Sequence, residues 1–436
     1  MYEQSFSNEH NISVSGGSDK VNYYASFGYM NQDGILKPHK DGVERYSANV
    51  RLHAQIAKWV AFEYTTRFIR TDMIQPSNGG QDVYYTIGRS SWPNLPVYDE
   101  NGFYTDDGAS PGHPVIITAL GGDINTSTNN VTQQAALIFE PIKNWVTHVE
   151  FNYNNQLRHE RRVNLNFGNH YVDGTPEQNK SRRSSIRVRD NHTNMWNLNV
   201  YSSYNRKFAD AHEFSAMVGF QSEQANLENS SVLKYGLQLP SQPELDLTTG
   251  IDESGRVRDP EISGGRSQWA TVGFFGRVNY NYKDRYLVEG NIRYDGTSRF
   301  RSDSRWVWSP SVSAGWNIAN EEFFKGIKST VNTLKLRVSY GVLGNQTTNS
   351  YYPTYRIINL YNQNGNHLQS HKKPNTAQVG NLISSDLTWE TVRTANIALD
   401  WGMFNNRFQG SFELFRRETL IYKIQNSKTV LSIRQN

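Results

Sequence analysis

The sequence predicts an all-β protein, an antiparallel β-barrel that crosses a membrane with its strands. Three observations lead to this prediction. Apolar and polar residues alternate with a period of two along most of the chain. The connections between the alternating segments are by turns short and long. Aromatic residues make up 13% of the 436 residues although the mean hydropathy is −0.69, which fits a wall that is apolar on one side only.

The segment 332–345 shows the alternation most plainly. Its apolar residues Leu334, Leu336 and Val338 alternate with the polar residues Lys335 and Arg337. Because successive side chains of a strand point to opposite faces, the segment has one apolar and one polar face. About 14 such segments occur, and their length is what a tilted spanning strand with some overhang needs. They are residues 10–16, 21–30, 44–54, 59–71, 130–140, 145–158, 191–207, 212–223, 268–282, 286–299, 306–318, 332–345, 387–403 and 407–420. Helical periodicity is weak and indicates at most a short helical turn at 321–328.

The connections alternate in length along the chain. The short ones fall at 17–20, 55–58, 141–144, 208–211, 283–285 and 404–406. The four long ones are expected at about 73–129, 159–190, 224–267 and 346–386, and they far exceed the usual loop of roughly 4–6 residues. A transmembrane barrel has short periplasmic turns and long extracellular loops. We therefore predict a partial barrel over 1–420, and a tail at 421–436 that is not barrel-like.

Aromatic residues gather beside the short turns. Trp59, Trp145, Tyr282, Tyr286 and Trp401 lie there, followed by Phe404. Such clustering is typical of an interfacial aromatic girdle. An even scatter would instead indicate only the general preference of aromatic residues for strands.

The residues do not predict an enzyme or a cofactor. Cysteine is absent, which excludes disulfides and thiolate chemistry. His159 and Glu160 begin an H-E-x-x-H pattern, but no second histidine follows at the required spacing. Lys and Arg total 45 against 41 Asp and Glu and are scattered, so nucleic acid is not implied. The segment 99–108 could hold calcium through its clustered oxygens, although two Asx/Gly turns explain it as well.

Two sets of residues are candidates for contact with a transported ligand. Aromatic rings in the long loops could stack on sugars or clamp peptide side chains, or simply fold the loops onto each other; they are Tyr84, Tyr85, Trp92, Tyr98, Tyr351 and Tyr352. Charged residues on the polar face of strands would line the lumen; they are Glu289, Arg293, Asp295 and Arg337.

Several long blocks resemble one family in the same order. They are HNISVSGGSDKVNYYASFGYMNQDGIL (10–36), FFGRVNYNYKDRYLVEGNIRYDGTSRF (274–300), WSPSVSAGWNIANEEFF (308–324), LKLRVSYGVLGNQ (334–346) and LTWETVRTANIALDWGMFNNRFQGSFELFRR (387–417). These blocks are similar to the SusC/RagA-type TonB-dependent outer-membrane transporters of Bacteroidetes. Agreement over several long blocks in order is far more specific than a short motif.

The resemblance implies a 22-stranded barrel with an N-terminal plug in the outer membrane, surrounded by lipid. It also implies a SusD-like surface lipoprotein as a lid and the TonB–ExbB–ExbD complex as the energy source. The cargo would be an oligosaccharide or a peptide. No signal peptide, plug or final aromatic-ended strand is visible in the chain, so we expect a fragment that contributes about 14 of the strands.

Two other functions agree with the same alternation. The chain could form a self-contained, porin-like diffusion channel, in which 10–16 and 407–420 would pair to close about 14 strands. It could also be a secreted, β-rich carbohydrate-binding protein, whose apolar faces would turn inward rather than toward lipid.

Overall fold

The computed structural model describes residues 2–77, 96–104, 114–168, 170, 173–175, 183–348, 350–361, 364–369, 371–380, 383 and 387–420. Antiparallel strands dominate this part of the chain. The strands are β1 (Ser7–Gly17), β2 (Val21–Asp33), β3 (Gly42–Ala57), β4 (Val60–Pro76), β5 (Asp123–Ile142), β6 (Trp145–Asn164), β7 (Ser185–Phe208), β8 (His212–Tyr235), β9 (Glu261–Tyr282), β10 (Tyr286–Thr297), β11 (Trp306–Trp308), β12 (Ser311–Asn317), β13 (Val331–Asn345), β14 (Ile358–Tyr361), β15 (Thr376–Val379), β16 (Glu390–Met403) and β17 (Phe408–Leu420).

Fifteen strands form one sheet, and nearly all pair with their neighbours along the chain. The order is β1-β2-β3-β4-β5-β6-β7-β8-β9-β10-β12-β13-β16-β17, with β11 paired beside β10. Among the strand pairs of the described residues, none joins β1 to β17. The prediction of an all-β antiparallel sheet of about 14 strands is confirmed. The strands β14 and β15 form a separate hairpin that the prediction missed.

The two faces of the sheet have opposite polarity. The registers place Val338 beside Ile397 and Ile397 beside Leu414 on one face, and all three side chains are exposed. Similar exposed apolar residues continue through the first strands, where Phe27 and Ile12 are direct partners. In water such a face would be strongly unfavourable, whereas hydrocarbon solvates it. The apolar face is therefore the lipid-facing one, and the other face is polar.

Strands β6 to β9 are longer than the sequence predicts. The segments 159–164 and 185–190 belong to β6 and β7, and 224–235 and 261–267 belong to β8 and β9. The expected loop 159–190 thus shrinks to 165–184, and 224–267 shrinks to 236–260. The prediction ended these strands early because polar residues occupy both faces there. Beyond the bilayer an outward-facing side chain meets water, so the apolar half of the alternation is no longer needed.

Helical structure is sparse in the described residues. They contain one short α-helix, α1 (Pro114–Leu120), in the expected first long loop, and single 3₁₀ turns at Ile318–Asn320 and Glu322–Phe324 instead of a helical turn over 321–328. No helix in the described residues is long and apolar enough to span a bilayer. The only apolar cluster of the described residues that is fully buried consists of Ile116 and Ile117 of α1 with Phe167.

The end of α1 ties three strands together. The backbone N–H of Ser77 donates to the carbonyl of Gly122 at 2.7 Å, and that of Leu165 donates to the carbonyl of Gly121 at 2.9 Å. Gly122 has a φ of +92°, and a Cβ there would lie 2.3 Å from the carbonyl oxygen of Val163. Only glycine fits this conformation and this approach without strain.

Candidate functional site

The polar face of the sheet carries the four charged residues predicted to face the lumen. Glu289, Arg293 and Asp295 lie at alternate positions of β10, and Arg337 lies on β13. The registers put Asn291 of the same face opposite Arg277 on β9 and Ser311 on β12. The four residues thus share the polar face, and their orientation toward a lumen and their role in transport stay predictions.

Ion pairs and hydrogen bonds link these side chains across strands. Arg337 donates from Nε and Nη2 to the two oxygens of Asp400 at 2.6 and 2.8 Å, and Ser411 Oγ donates to Asp400 at 2.9 Å. Arg293 donates from Nε to Asp295 at 2.9 Å and from Nη2 to Gln221 at 2.7 Å. Forked contacts of this kind fix the guanidinium plane. These contacts hold the Arg337 and Arg293 side chains in defined positions on the polar face.

Two clefts lie along the polar face. One, of about 880 Å³, is lined by Glu289 and Arg337 near the short turns. The other, of about 990 Å³, is lined by Met217 of β8, Arg293 of β10 and Arg417 of β17. Residues from strands so far apart in the sheet can line one cleft only if the sheet curves toward its polar face. The polar face is thus concave, as the wall of a lumen requires.

Aromatic residues mark the rim with the short turns. Tyr282 and Tyr286 are direct partners with ring centroids 6.4 Å apart, and Trp401 lies 5.0 Å from Phe408. Glu321 is buried at this rim, where hydrogen bonds from Tyr286 and Trp316 hold its pKa below the ordinary value. Tyr286 and Trp316 therefore combine an apolar body with an anchored polar end, which suits a membrane interface.

The opposite rim carries a group of four arginines, three of which the prediction assigned to a loop. Arg158 and Arg162 lie on β6, and Arg187 and Arg189 lie on β7, all on the polar face. The signal was present in the sequence. Arg158, Glu160 and Arg162 continue the period-two alternation past the point where the apolar residues end.

The predicted aromatic contacts divide into described and undescribed residues. Tyr84, Tyr85 and Trp92 lie outside the described residues. Tyr98 packs on Tyr104 with ring centroids 4.9 Å apart. Tyr352 accepts a hydrogen bond from the backbone N–H of Gln268 at 2.9 Å, and the Tyr351 ring lies 4.9 Å from the Arg299 guanidinium. These rings fold the loops together, and contact with a ligand stays a prediction.

The possible calcium segment forms a turn in its described part, 99–104. Asp99 Oδ1 accepts hydrogen bonds from the backbone N–H of Asn101 and Phe103 at 2.9 and 2.8 Å. This is the arrangement of an Asx turn. Residues 105–108 lie outside the described part, and among the described residues no group of three or more His, Asp or Glu could hold a metal ion.

Two loops outside the strands are each held together by a buried side chain. The Trp389 indole is buried, packs on Phe300 and donates to the carbonyl of Arg305 at 2.8 Å. The side chain of Asp252 is fully buried in the loop 236–260. Hydrogen bonds from the Ser254 hydroxyl and from the backbone N–H of Arg256 hold the Asp252 pKa well below its usual range.

A curved sheet with a lipid-facing apolar side, a charged concave side and long loops on one rim fits the wall of a transmembrane β-barrel. A family model described as TonB dependent receptor-like, beta-barrel matches residues 16–424. The chain therefore belongs to the TonB-dependent receptor β-barrel family and is an outer-membrane protein.

Curated relatives agree with this assignment. The chain is 28% identical over 459 residues to TonB-dependent receptor SusC of Bacteroides thetaiotaomicron, covering 96% of the chain and 42% of the relative. It is 27% identical over 412 residues to TonB-dependent receptor P26 of Formosa agariphila, covering 94% and 39%. The chain thus spans about two fifths of the length of these relatives.

Solved structures show the same fold. A structure described as the RagAB peptide transporter superposes with a TM-score of 0.72 at 20% identity, covering 95% of this chain and 44% of the other. The 'open-open' state of the RagAB peptide importer gives 0.75 at 21% identity, covering 96% and 44%.

Proposed function

We propose that this chain forms the barrel portion of a SusC-like importer that takes up oligosaccharides or other oligomers by energised, gated transport. The concave polar face carries the proposal. Its charges are fixed in cross-strand networks such as Arg337–Asp400–Ser411, and clefts of about 880 and 990 Å³ lie between them. Clefts of this size match an oligomer rather than a single ion. No covalent chemistry is needed, and we propose a transporter without enzymatic activity.

The partners of the complete protein are part of the same proposal. A SusD-like lipoprotein would cover the rim with the long loops, and TonB–ExbB–ExbD would act through a plug domain of the complete protein. The RagAB structures, described as a peptide importer, support oligomers as the class of cargo.

Uptake by intact cells tests the proposal. In a strain that lacks the gene, the complete protein is restored, and uptake of fluorescently labelled oligosaccharides and oligopeptides is measured with and without TonB. An energised importer takes up one of the two classes only while TonB is present. The control is a general porin, whose uptake of a small sugar does not change.

Two results would overturn the proposal. Uptake that continues at the same rate without TonB indicates the diffusion channel. Recovery of the complete protein in the medium, with sugar binding but no uptake, indicates the secreted carbohydrate-binding protein.

A further inference from the structure

The arginines Arg158, Arg162, Arg187 and Arg189, here called the arginine cluster, occupy one patch of the polar face. The register pairs Arg162 with Arg187 directly and Glu160 with Arg189 directly. Residues 158 and 162 of one strand are about 13 Å apart, and the neighbouring strand is about 4.8 Å away. The cluster is therefore a compact set of four guanidinium groups at the rim with the long loops.

The cluster lies above the bilayer and faces away from lipid. From Trp145 in the aromatic rim to Arg158 the strand runs 13 residues, or about 43 Å. With a tilt of 35–45° that is about 30–35 Å along the membrane normal, more than the roughly 25 Å of the apolar band. Lipid headgroups meet the other face. A ligand of the cluster must approach from the lumen or its mouth.

The positive charge of the cluster is only partly compensated. Glu160 is 7% exposed and lies 3.1 Å from Arg158 and 3.9 Å from Arg189. Within the described residues, Arg162 and Arg187 have no carboxylate within 4.0 Å. The Nε of Arg162 is buried and has no hydrogen-bond partner there. A buried N–H group without a partner is unfavourable, and the positive charge that Arg162 and Arg187 leave uncompensated is one that a bound anion would neutralise.

The wall next to the cluster is rich in amides and hydroxyls rather than charges. Asn154 donates to Asn130 at 3.0 Å and to Thr132 at 2.9 Å, and Asn152 donates to Asn197 at 3.4 Å. All of these side chains are partly exposed on the same face as Arg158. Amide and hydroxyl groups both donate and accept, which matches the many hydroxyls of a sugar.

We propose that the arginine cluster binds the sulfate or carboxylate groups of an anionic oligosaccharide at the mouth of the lumen. This inference rests on the proposed import function and specifies its substrate class. The guanidinium fork pairs with an oxyanion through two parallel hydrogen bonds. The neighbouring amides and hydroxyls would bind the sugar hydroxyls. That neighbourhood favours a glycan over an acidic peptide, whose side chains offer few hydroxyls.

Equilibrium binding to the complete protein in detergent tests this site. The probes are a sulfated dextran hexasaccharide, the unmodified dextran hexasaccharide and hexaglutamate. The test variant is R162Q/R187Q. The control variant, R266Q/R416Q, removes the same charge from two exposed arginines on the opposite face. Heat-modifiable mobility in gels confirms that all forms are folded.

We expect the sulfated probe to bind at least about tenfold more tightly than the unmodified one, and to lose at least about tenfold in affinity in R162Q/R187Q. The control should change this affinity less than about twofold, because exposed charges far from the ligand are screened. Higher salt should weaken binding of the sulfated dextran and leave binding of the unmodified dextran unchanged.

Three results would overturn the site. The first is equal affinity for both dextrans, and the second is an equal loss of affinity for the sulfated dextran in the test and control variants. The third is hexaglutamate that binds as tightly as the sulfated dextran and loses as much affinity in R162Q/R187Q. The last result assigns the cluster to acidic peptides. Binding in detergent does not depend on TonB, so failure of the import proposal is visible separately in the uptake experiment.

Discussion

Two neighbouring residues in the middle of β13 give the sharpest test of the lipid-facing assignment. Val338 exposes 42% of its surface on the apolar face, beside Ala314 and Ile397. Ser339 points to the polar face, where Ser313 and Asn396 are its direct partners. We therefore compare Val338→Arg with Ser339→Arg, which introduce the same side chain one residue apart.

The expected difference follows from the environment of each side chain. An arginine at the bilayer midplane of a barrel costs about 2–4 kcal/mol. Replacing valine also removes apolar contact with lipid over about two fifths of its surface, or about 0.6–1.3 kcal/mol. Val338→Arg should therefore lower the free energy of unfolding by about 3–5 kcal/mol. Ser339→Arg should change it by less than about 0.5 kcal/mol, because the new charge stays in water.

The measurement is a urea titration of the complete protein in lipid vesicles, followed by tryptophan fluorescence and by heat-modifiable mobility in gels. A larger loss for Ser339→Arg than for Val338→Arg would show that the two faces are assigned the wrong way round. Equal small losses would show that β13 does not lie in the bilayer.

Three further predictions concern the extracellular side. Asp252→Asn should abolish hydrogen-exchange protection of 250–258, while the control Asp259→Asn should leave it intact. In the unmutated protein the lowered pKa of Asp252 should keep this protection constant down to pH 3.8, the ordinary Asp pKa, and protection should fall only below that pH. Trp389→Ala should destabilise the contact between the loops by about 3–5 kcal/mol and Trp389→Phe by about 1 kcal/mol, read from hydrogen exchange at 298–308; unchanged protection in Trp389→Phe would disprove a role for the Arg305 hydrogen bond. Gly122→Ala should cost at least about 1–2 kcal/mol in urea, because a Cβ at this positive φ is strained, and an unchanged midpoint would contradict that conformation.

The sequence predicted most of the membrane-spanning part because lipid imposes a simple rule there. Every second residue of a strand such as β13 must be apolar, and the polar residues between them need only tolerate water. The face of Arg337 could therefore be assigned from spacing alone. Its bond to Asp400 could not, because the register between β13 and β16 depends on a loop of more than 40 residues.

Outside the bilayer that rule no longer applies, and sequence reasoning failed there for physical reasons. The extensions of β6 and β7 carry polar residues on both faces, so three residues of the arginine cluster, Arg162, Arg187 and Arg189, were assigned to a loop. The helix α1 has seven residues, too few for its periodicity to stand out. Tyr352 bonds to Gln268, 84 residues away, and Asp252 bonds to Ser254 and Arg258, two and six residues away. Aromatic or acidic composition alone does not reveal such contacts.

The connections between strands are short at one rim and long at the other, and this difference affects how such proteins diversify. An insertion of one residue within β13 would turn every following side chain to the wrong face, so the wall cannot easily change length. The loop 236–260 is closed by its own hydrogen bonds around Asp252 and can be exchanged without altering any strand register. Variation between related chains should therefore be concentrated in such loops, while the wall beneath them persists.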